Sequence, residues 1–246
     1  MNILYCGDQG ISKGVLVSIL SILKHNKNVL HFYIMTIKYE NVKPFEQKTA
    51  KFLDSLVKDT NPKSFVKLID ATDVFTKNLP KKNMGSYFTP CSMLRLYADK
   101  VPELNKLDRL LYLDYDVVCR APLDEFFSTD LTGKEAAGVQ DIYGKFFYHY
   151  RGLFNFDYMN SGVMLFNMPE CINSKIFEKS AKKCAERKMM LADQAALNKT
   201  ISKGNSCREN TMNKLSARKK IRCFIIFPIT SSFSPIFVSK RSSHLK

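Results

Sequence analysis

The chain has 246 residues, 45% of them hydrophobic and 25% charged, with a net charge of +15. That is an ordinary globular composition, long enough for one large domain with a substantial core. Its seven cysteines are scattered, with no Cys-x-x-Cys and no nearby His at zinc spacing, which argues against a disulfide framework or a structural zinc site and makes a reducing cytoplasm the simplest setting. Asn2 to Cys6 reads as a short apolar strand, not a signal peptide, because no basic segment precedes it and the turn Gly7-Asp8-Gln9-Gly10 follows. Ile11 to His25 spaces Val15, Leu16, Ile19, Leu20, Ile22 and Leu23 as a helix. Val29 to Ile37 is a second strand. Asn41 to Lys58 is a polar helix with Phe45, Phe52, Leu53 and Leu56 expected on its inner face. Phe65 to Ile69 is a strand, and Asp70 to Asp73 and Pro80 fall in loops. Cys91 to Lys100 is helical, stopping before Pro102, and Arg109 to Leu113 is a strand. Ala136 to Val139 and Gly162 to Asn167 are further strands, with helices over Ile172 to Lys188 and Leu191 to Ile201. Alternating strands and helices imply an α/β fold with a mostly parallel, doubly wound central sheet flanked by helices. Ligands bind such sheets beyond the carboxyl ends of the strands.

Asp114-Tyr115-Asp116 is the most informative local feature. It ends the apolar run Leu110-Leu111-Tyr112-Leu113 and precedes Val117-Val118. Asp-x-Asp alone is a weak pattern, and a solvated strand-end turn accounts for many of them. Two carboxylates ending a buried strand are costly unless a cation or other donors offset their charge. On an extended strand, residues i and i+2 face the same way, about 6.6–6.8 Å apart along the axis. Two carboxylates so placed can converge on one hard cation. Asp8 follows another strand and could line the same crevice.

Five segments in order now resemble glycosyltransferase family 8, the retaining transferases that include bacterial lipopolysaccharide galactosyl- and glucosyltransferases. They are Asn2-Ile-Leu-Tyr-Cys-Gly-Asp8, Met93-Leu-Arg95-Leu, Arg109-Leu-Leu-Tyr-Leu-Asp114-Tyr-Asp116-Val-Val, Tyr158-Met-Asn160-Ser161-Gly162-Val-Met-Leu-Phe-Asn167 and Asp193-Gln194-Ala-Ala-Leu-Asn198. The resemblance covers about residues 1–200. It implies a GT-A fold, UDP-galactose or UDP-glucose as donor, a saccharide or lipooligosaccharide acceptor, and Mn2+ or Mg2+. It implies that Asp114 and Asp116 hold the metal, that Cys6 and Asp8 at the first strand's end contact the uridine, and that Tyr115 lies near the ribose. Arg95 reaches the donor sugar and diphosphate, where its planar fork suits bidentate contact. Asn160, Ser161 and Gly162 bind sugar hydroxyls at a strand-start loop, and Asp193 and Gln194 stand nearest the anomeric carbon. The expected reaction transfers a hexose, in lipopolysaccharide or other surface polysaccharide synthesis.

The end of the chain departs from this pattern. The family's His-aromatic-x-Gly-x-x-Lys-Pro-Trp motif completes the metal site, but this chain has no Trp, and His244 is followed only by Leu245-Lys246. Gly10 also stands where relatives often have a polar nucleotide contact. Residues 203–246 carry ten Lys and Arg against the single acid Glu209, whereas the first 202 residues carry 28 basic and 22 acidic side chains. The chain therefore reads as a transferase domain over 1–202 and a basic tail over 203–246. The tail is either a frame-shifted terminus or a membrane-touching segment, at the inner face of the membrane. Phe224 to Val238 is apolar but broken by Pro228 and Pro235, too short to span a bilayer. No nucleic-acid motif is present. Two other functions stay open: a UDP- and metal-binding remnant with impaired catalysis, and a peripheral membrane protein acting through its tail.

Overall fold

The computed structural model describes residues 1–84, 90–141 and 158–201, together with the two backbone strands Ser206–Cys207 and Phe224–Ile226. Most of the basic tail, His244 included, lies outside the described residues. The chain begins β1 (Asn2–Cys6), α1 (Ser12–His25), β2 (His31–Thr36), α2 (Gln47–Thr60), β3 (Phe65–Asp70) and α3 (Thr72–Lys77). A 3-10 segment, Pro90–Lys100, precedes β4 (Arg109–Leu113), β5 (Val117–Cys119), α4 (Asp124–Phe127) and β6 (Ala136–Gln140). β7 (Met159–Asn167), α5 (Met168–Asn173), α6 (Ile176–Glu186), α7 (Ala192–Thr200), β8 (Ser206–Cys207) and β9 (Phe224–Ile226) follow.

Seven strands form one sheet in the order β3-β2-β1-β4-β7-β6-β8. Strands β1 to β4 run parallel, with Ile3 opposite Leu111 and Leu4 opposite Tyr112. That register brings Cys6 level with Asp114, where β1 and β4 lie side by side and the strand order reverses. Such a reversal opens a crevice at the strands' carboxyl ends. β7 departs from the parallel expectation, pairing antiparallel to both β4 and β6. Its amino end therefore lies beside the carboxyl end of β4. Segment 203–246 contributes β8, parallel to β6, and β9, antiparallel to β5.

Alternation along β1 splits the core across the sheet. Leu4 and Cys6 face a cluster with Met93, Leu94, Tyr97, Phe166, Phe177 and Leu197. Ile3 and Tyr5 face another built from α1 and α2, including Val15, Ile19, Leu53 and Val57. Burial on both sides explains why β1 and β4 read as continuous apolar runs.

Four expectations shift. Asp70 to Asp73, expected in a loop, instead end β3 at Asp70 and open α3 at Thr72. α2 begins at Gln47, so Phe45 precedes it, and its buried positions are Ala50, Leu53 and Val57. Phe52 points outward, 57% exposed. The long helix expected over Ile172 to Lys188 is α5 and α6, separated at Lys175, whose φ of 56° is left-handed. No helix can run through a residue in that region. Asn160, Ser161 and Gly162 lie within β7, which starts earlier than expected.

Candidate active site

The crevice gathers side chains from β1, β4, β7, the 3-10 segment and α7. Asp114, Tyr115 and Asp116 do not continue the strand. They form a turn closed by the Val117 N–H donating to the Asp114 carbonyl at 3.2 Å. The turn, not the strand pleat, sets the direction of both carboxylates. Two glycines let the turn sit where it does. A Cβ on Gly162 would lie 2.6 Å from Asp114 Oδ2, and one on Gly14 of α1 would lie 2.6 Å from the Tyr115 ring. The Asp114 N–H donates to the Gly162 carbonyl at 2.8 Å, tying the turn to β7.

Arg95 is the hub, 3% exposed. Its Nε donates to the Ser92 carbonyl at 2.9 Å and lies 3.2 Å from Asp193 Oδ2. Nη1 donates to the Ser161 carbonyl, and Nη2 to Asp114 Oδ1 at 3.0 Å. The guanidinium carbon stands 3.9 Å above the Tyr112 ring. Burial opposes the charge, but Tyr112, Asp114 and Asp193 outweigh it and hold Arg95 firmly protonated. The Tyr112 hydroxyl also donates to Asp114 Oδ1 at 2.7 Å.

Asp193 and Gln194 open α7 and are 8% and 6% exposed. Leu191, just before them, takes a left-handed φ of 52° that turns the helix start into the crevice. Gln194 Oε1 accepts from the Ser161 N–H at 3.0 Å, and Gln194 Nε2 donates to Asp141 Oδ2 at 2.8 Å. The Ser161 hydroxyl lies 3.4 Å from both Asp193 Oδ2 and Gln194 Oε1. Asn160 Oδ1 accepts from the Gly162 N–H at 2.7 Å.

On the other side the described residues supply fewer partners. Asp8 Oδ1 accepts from the exposed Gly10 N–H at 2.8 Å. Cys6 is buried beneath, where desolvation raises its thiol pKa, so it stays protonated. Tyr115 is half-buried against Gly14. Among the described residues Asp116 Oδ1 is buried and has no hydrogen-bond partner. Burial, then the Asp114 charge, push the Asp116 pKa up to about 7.

That orphaned oxygen is what a cation would satisfy. Among the described residues no set of three or more His, Cys, Asp or Glu side chains surrounds one metal position. Two carboxylates suit Mg2+ or Mn2+, hard ions that take further oxygens from water or a diphosphate. The donor set therefore fits.

The model of glycosyl transferase family 8 matches residues 2–215. The chain belongs to that family. It is 30% identical over 191 residues to a lipopolysaccharide 1,2-glucosyltransferase of Escherichia coli K12, and 25% identical over 184 residues to a putative glycosyltransferase of Haemophilus influenzae. Each alignment takes in 73% of this chain but only 51% and 52% of those relatives, so the chain spans about half their length. The galactosyltransferase LgtC, solved with donor and acceptor sugar analogs, superposes with a TM-score of 0.67 at 20% identity, over 84% of this chain and 72% of that one. The fold is accordingly that of a GT-A glycosyltransferase, as in LgtC. Among the described residues no helix is long and apolar enough to cross a membrane.

The structure brings Arg95, Asp114, Ser161, Asp193 and Gln194 into one bonded network and places Cys6, Asp8, Tyr115 and Asp116 beside it. Asn160 and Gly162 join through β7. Sequence reading passed over Tyr112, Gly14 and Asp141. Asp141 had a usable signal, since it directly follows a strand, as Asp114 does.

Proposed function

We propose that the chain carries the catalytic part of a retaining glycosyltransferase that moves a hexose from a UDP-sugar to a saccharide acceptor. One juxtaposition supports this most. The unpartnered oxygen of Asp116 neighbours Asp114, and Arg95 links Asp114 to Asp193. Asp114 and Asp116 would hold Mn2+ or Mg2+, which serves as a Lewis acid toward a diphosphate leaving group.

The chain's own groups divide the remaining work. Asp8, Cys6 and Tyr115 line the other side, where the nucleoside is received. Asn160, Ser161 and Gly162 offer polar edges to sugar hydroxyls. Arg95 fixes Asp114 and Asp193 and would lend its positive charge to the donor diphosphate. Positive character developing on the sugar is stabilised by the Asp193 carboxylate and the Gln194 amide oxygen, both preorganised and largely shielded from water. An amide is a poor nucleophile, and Asp193 Oδ2 is engaged by Arg95 and Ser161. We therefore favour attack by the acceptor on the face the diphosphate leaves, which retains configuration. A sugar trapped covalently on Asp193 would refute that route.

The Escherichia coli relative's name points to a lipopolysaccharide acceptor and to glucose, with galactose the alternative donor sugar. The deciding assay follows UDP release from UDP-glucose and UDP-galactose with Mn2+, comparing the wild type with Asp116→Asn. Metal-dependent release that the variant loses supports the proposal. Equal release by both would overturn it.

A further inference from the structure

We infer that Asp141 is a positioning residue that fixes which end of the Gln194 carboxamide faces the reacting sugar. The inference rests on the proposed role of Asp193 and Gln194. A carboxamide has two ends of nearly equal size and opposite hydrogen-bonding character, so its orientation is set by its partners. Here the partners are unambiguous. The Ser161 N–H can only donate, and it meets Gln194 Oε1 at 3.0 Å. An amide NH2 can only donate, and Gln194 Nε2 donates to Asp141 Oδ2 at 2.8 Å. Reversing the amide would lose both bonds and oppose like groups at each end.

Neither anchor nor helix can give way easily. The Asp141 N–H donates to the Tyr158 carbonyl at 2.8 Å, holding the end of β6 against the entry to β7. One turn further along α7, Asn198 Nδ2 donates to the Met159 carbonyl at 2.8 Å and the Gln194 carbonyl at 2.9 Å. Asn198 Oδ1 accepts from the Met159 N–H at 2.7 Å. With the backbone so tied, the amide's orientation falls to Asp141 and Ser161. A carboxyl acceptor on the NH2 end also polarises the amide and increases the negative character of Oε1. That is the end suited to a centre developing positive charge. The NH2 end would oppose it.

The test uses the full chain and has one arm independent of turnover. Gln194→Glu sets two carboxylates against each other at the 2.8 Å contact. In an Asp141→Asn background the pair is complementary again, because the new amide donates and the new carboxylate accepts. We expect Gln194→Glu to lower the thermal midpoint clearly with Asp141 present and much less in the Asp141→Asn background. Equal losses in both backgrounds would overturn the inference. The second arm is the Gln194 side-chain NH2 pair in 1H–15N spectra, assigned by its disappearance in Gln194→Met. Asp141→Ala should move both proton resonances, and unchanged resonances would overturn the inference. In the UDP-hexose assay, Asp141→Ala should lower kcat by about 10–100-fold with KM for the donor little changed, as expected for lost orientation. A wild type without turnover would remove the proposed function, while the thermal and spectroscopic arms still decide whether Asp141 orients Gln194.

Discussion

The two sides of the crevice differ in how completely their polar groups are matched. On the β7 and α7 side, Arg95, Asp114, Ser161, Asp193, Gln194 and Asp141 are joined by bonds the protein supplies itself. On the β1 and β5 side, Asp8 leans on an exposed loop amide and Asp116 keeps a buried oxygen with no partner among the described residues. The first side is finished before any ligand arrives and can act through fixed charge. The second leaves that oxygen unmatched among the described residues, and a cation would match it. A site that must bind tightly yet react at a fixed geometry is well served by that division.

The sharpest way to break the comparison is to dismantle the finished side. Arg95→Leu leaves Asp114 and Asp193 without their shared cation, and losing one partner of a buried charged set costs about 3–5 kcal/mol. Denaturant unfolding should show that loss, and an unchanged midpoint would mean the network contributes little. Gly162→Ala is a smaller blow at the junction of the two sides. The added Cβ would lie 2.6 Å from Asp114 Oδ2 and 2.9 Å from Asn160 Oδ1, so a carboxylate or the strand must move. Overpacking of this kind costs about 1–3 kcal/mol. The thermal melt should fall, and Mn2+ should raise it less than in the wild type.

Asp116→Asn tests the unfinished side and should act in the opposite direction. It removes a carboxylate whose charge burial disfavours, so the metal-free protein should gain on the order of 1–2 kcal/mol. The same change should abolish the rise in melting temperature that Mn2+ gives the wild type. Loss of stability in the metal-free variant would show that Asp116 is held by the protein and does not await a ligand.

Much of this division was legible in the sequence, for physical reasons. Apolar runs such as Ile3 to Cys6 and Leu110 to Leu113, short and followed by turn residues, fit strands buried on both faces, and acids soon after them stand out. The order of the five motifs carried the family. Three things were hidden. An apolar run has no direction, so nothing in Val163 to Phe166 revealed that β7 runs antiparallel and enters the crevice by its amino end. Left-handed residues at Lys175 and Leu191 are not glycines, so neither the helix break nor the turn aiming Asp193 was marked. On α2, the small Ala50 is buried while the large Phe52 is exposed, the reverse of what size suggests. Tyr112 escaped notice because it sits inside an apolar run whose composition already explained it. Its hydroxyl does the polar work, bonding Asp114 while its ring faces Arg95.

A last substitution separates an orphaned carboxylate that awaits a ligand from one that is merely strained. Asp99 lies on the same 3-10 segment as Arg95, and its Oδ1 is likewise buried without a partner. Burial raises its pKa, Lys100 opposes the rise, and Glu178 adds to it. Ionisation is therefore harder in the folded chain than in the unfolded one. The sign follows: stability is lost as pH climbs from the ordinary carboxylate value of 3.8 through the raised one, and the loss persists above it. Asp99→Asn removes that loss, so it should stabilise by about 1 kcal/mol at pH 8 and by nothing measurable near pH 3, where both chains carry a neutral group. Melts across that range check the sign. Unlike Asp116→Asn, the variant should leave the Mn2+ response and UDP-hexose turnover intact, because Asp99 joins neither side of the crevice. If Asp99→Asn also lost the Mn2+ response, a missing hydrogen-bond partner would no longer mark Asp116 as special, and the contrast between the two sides would have to rest on Asp8 and Tyr115 alone.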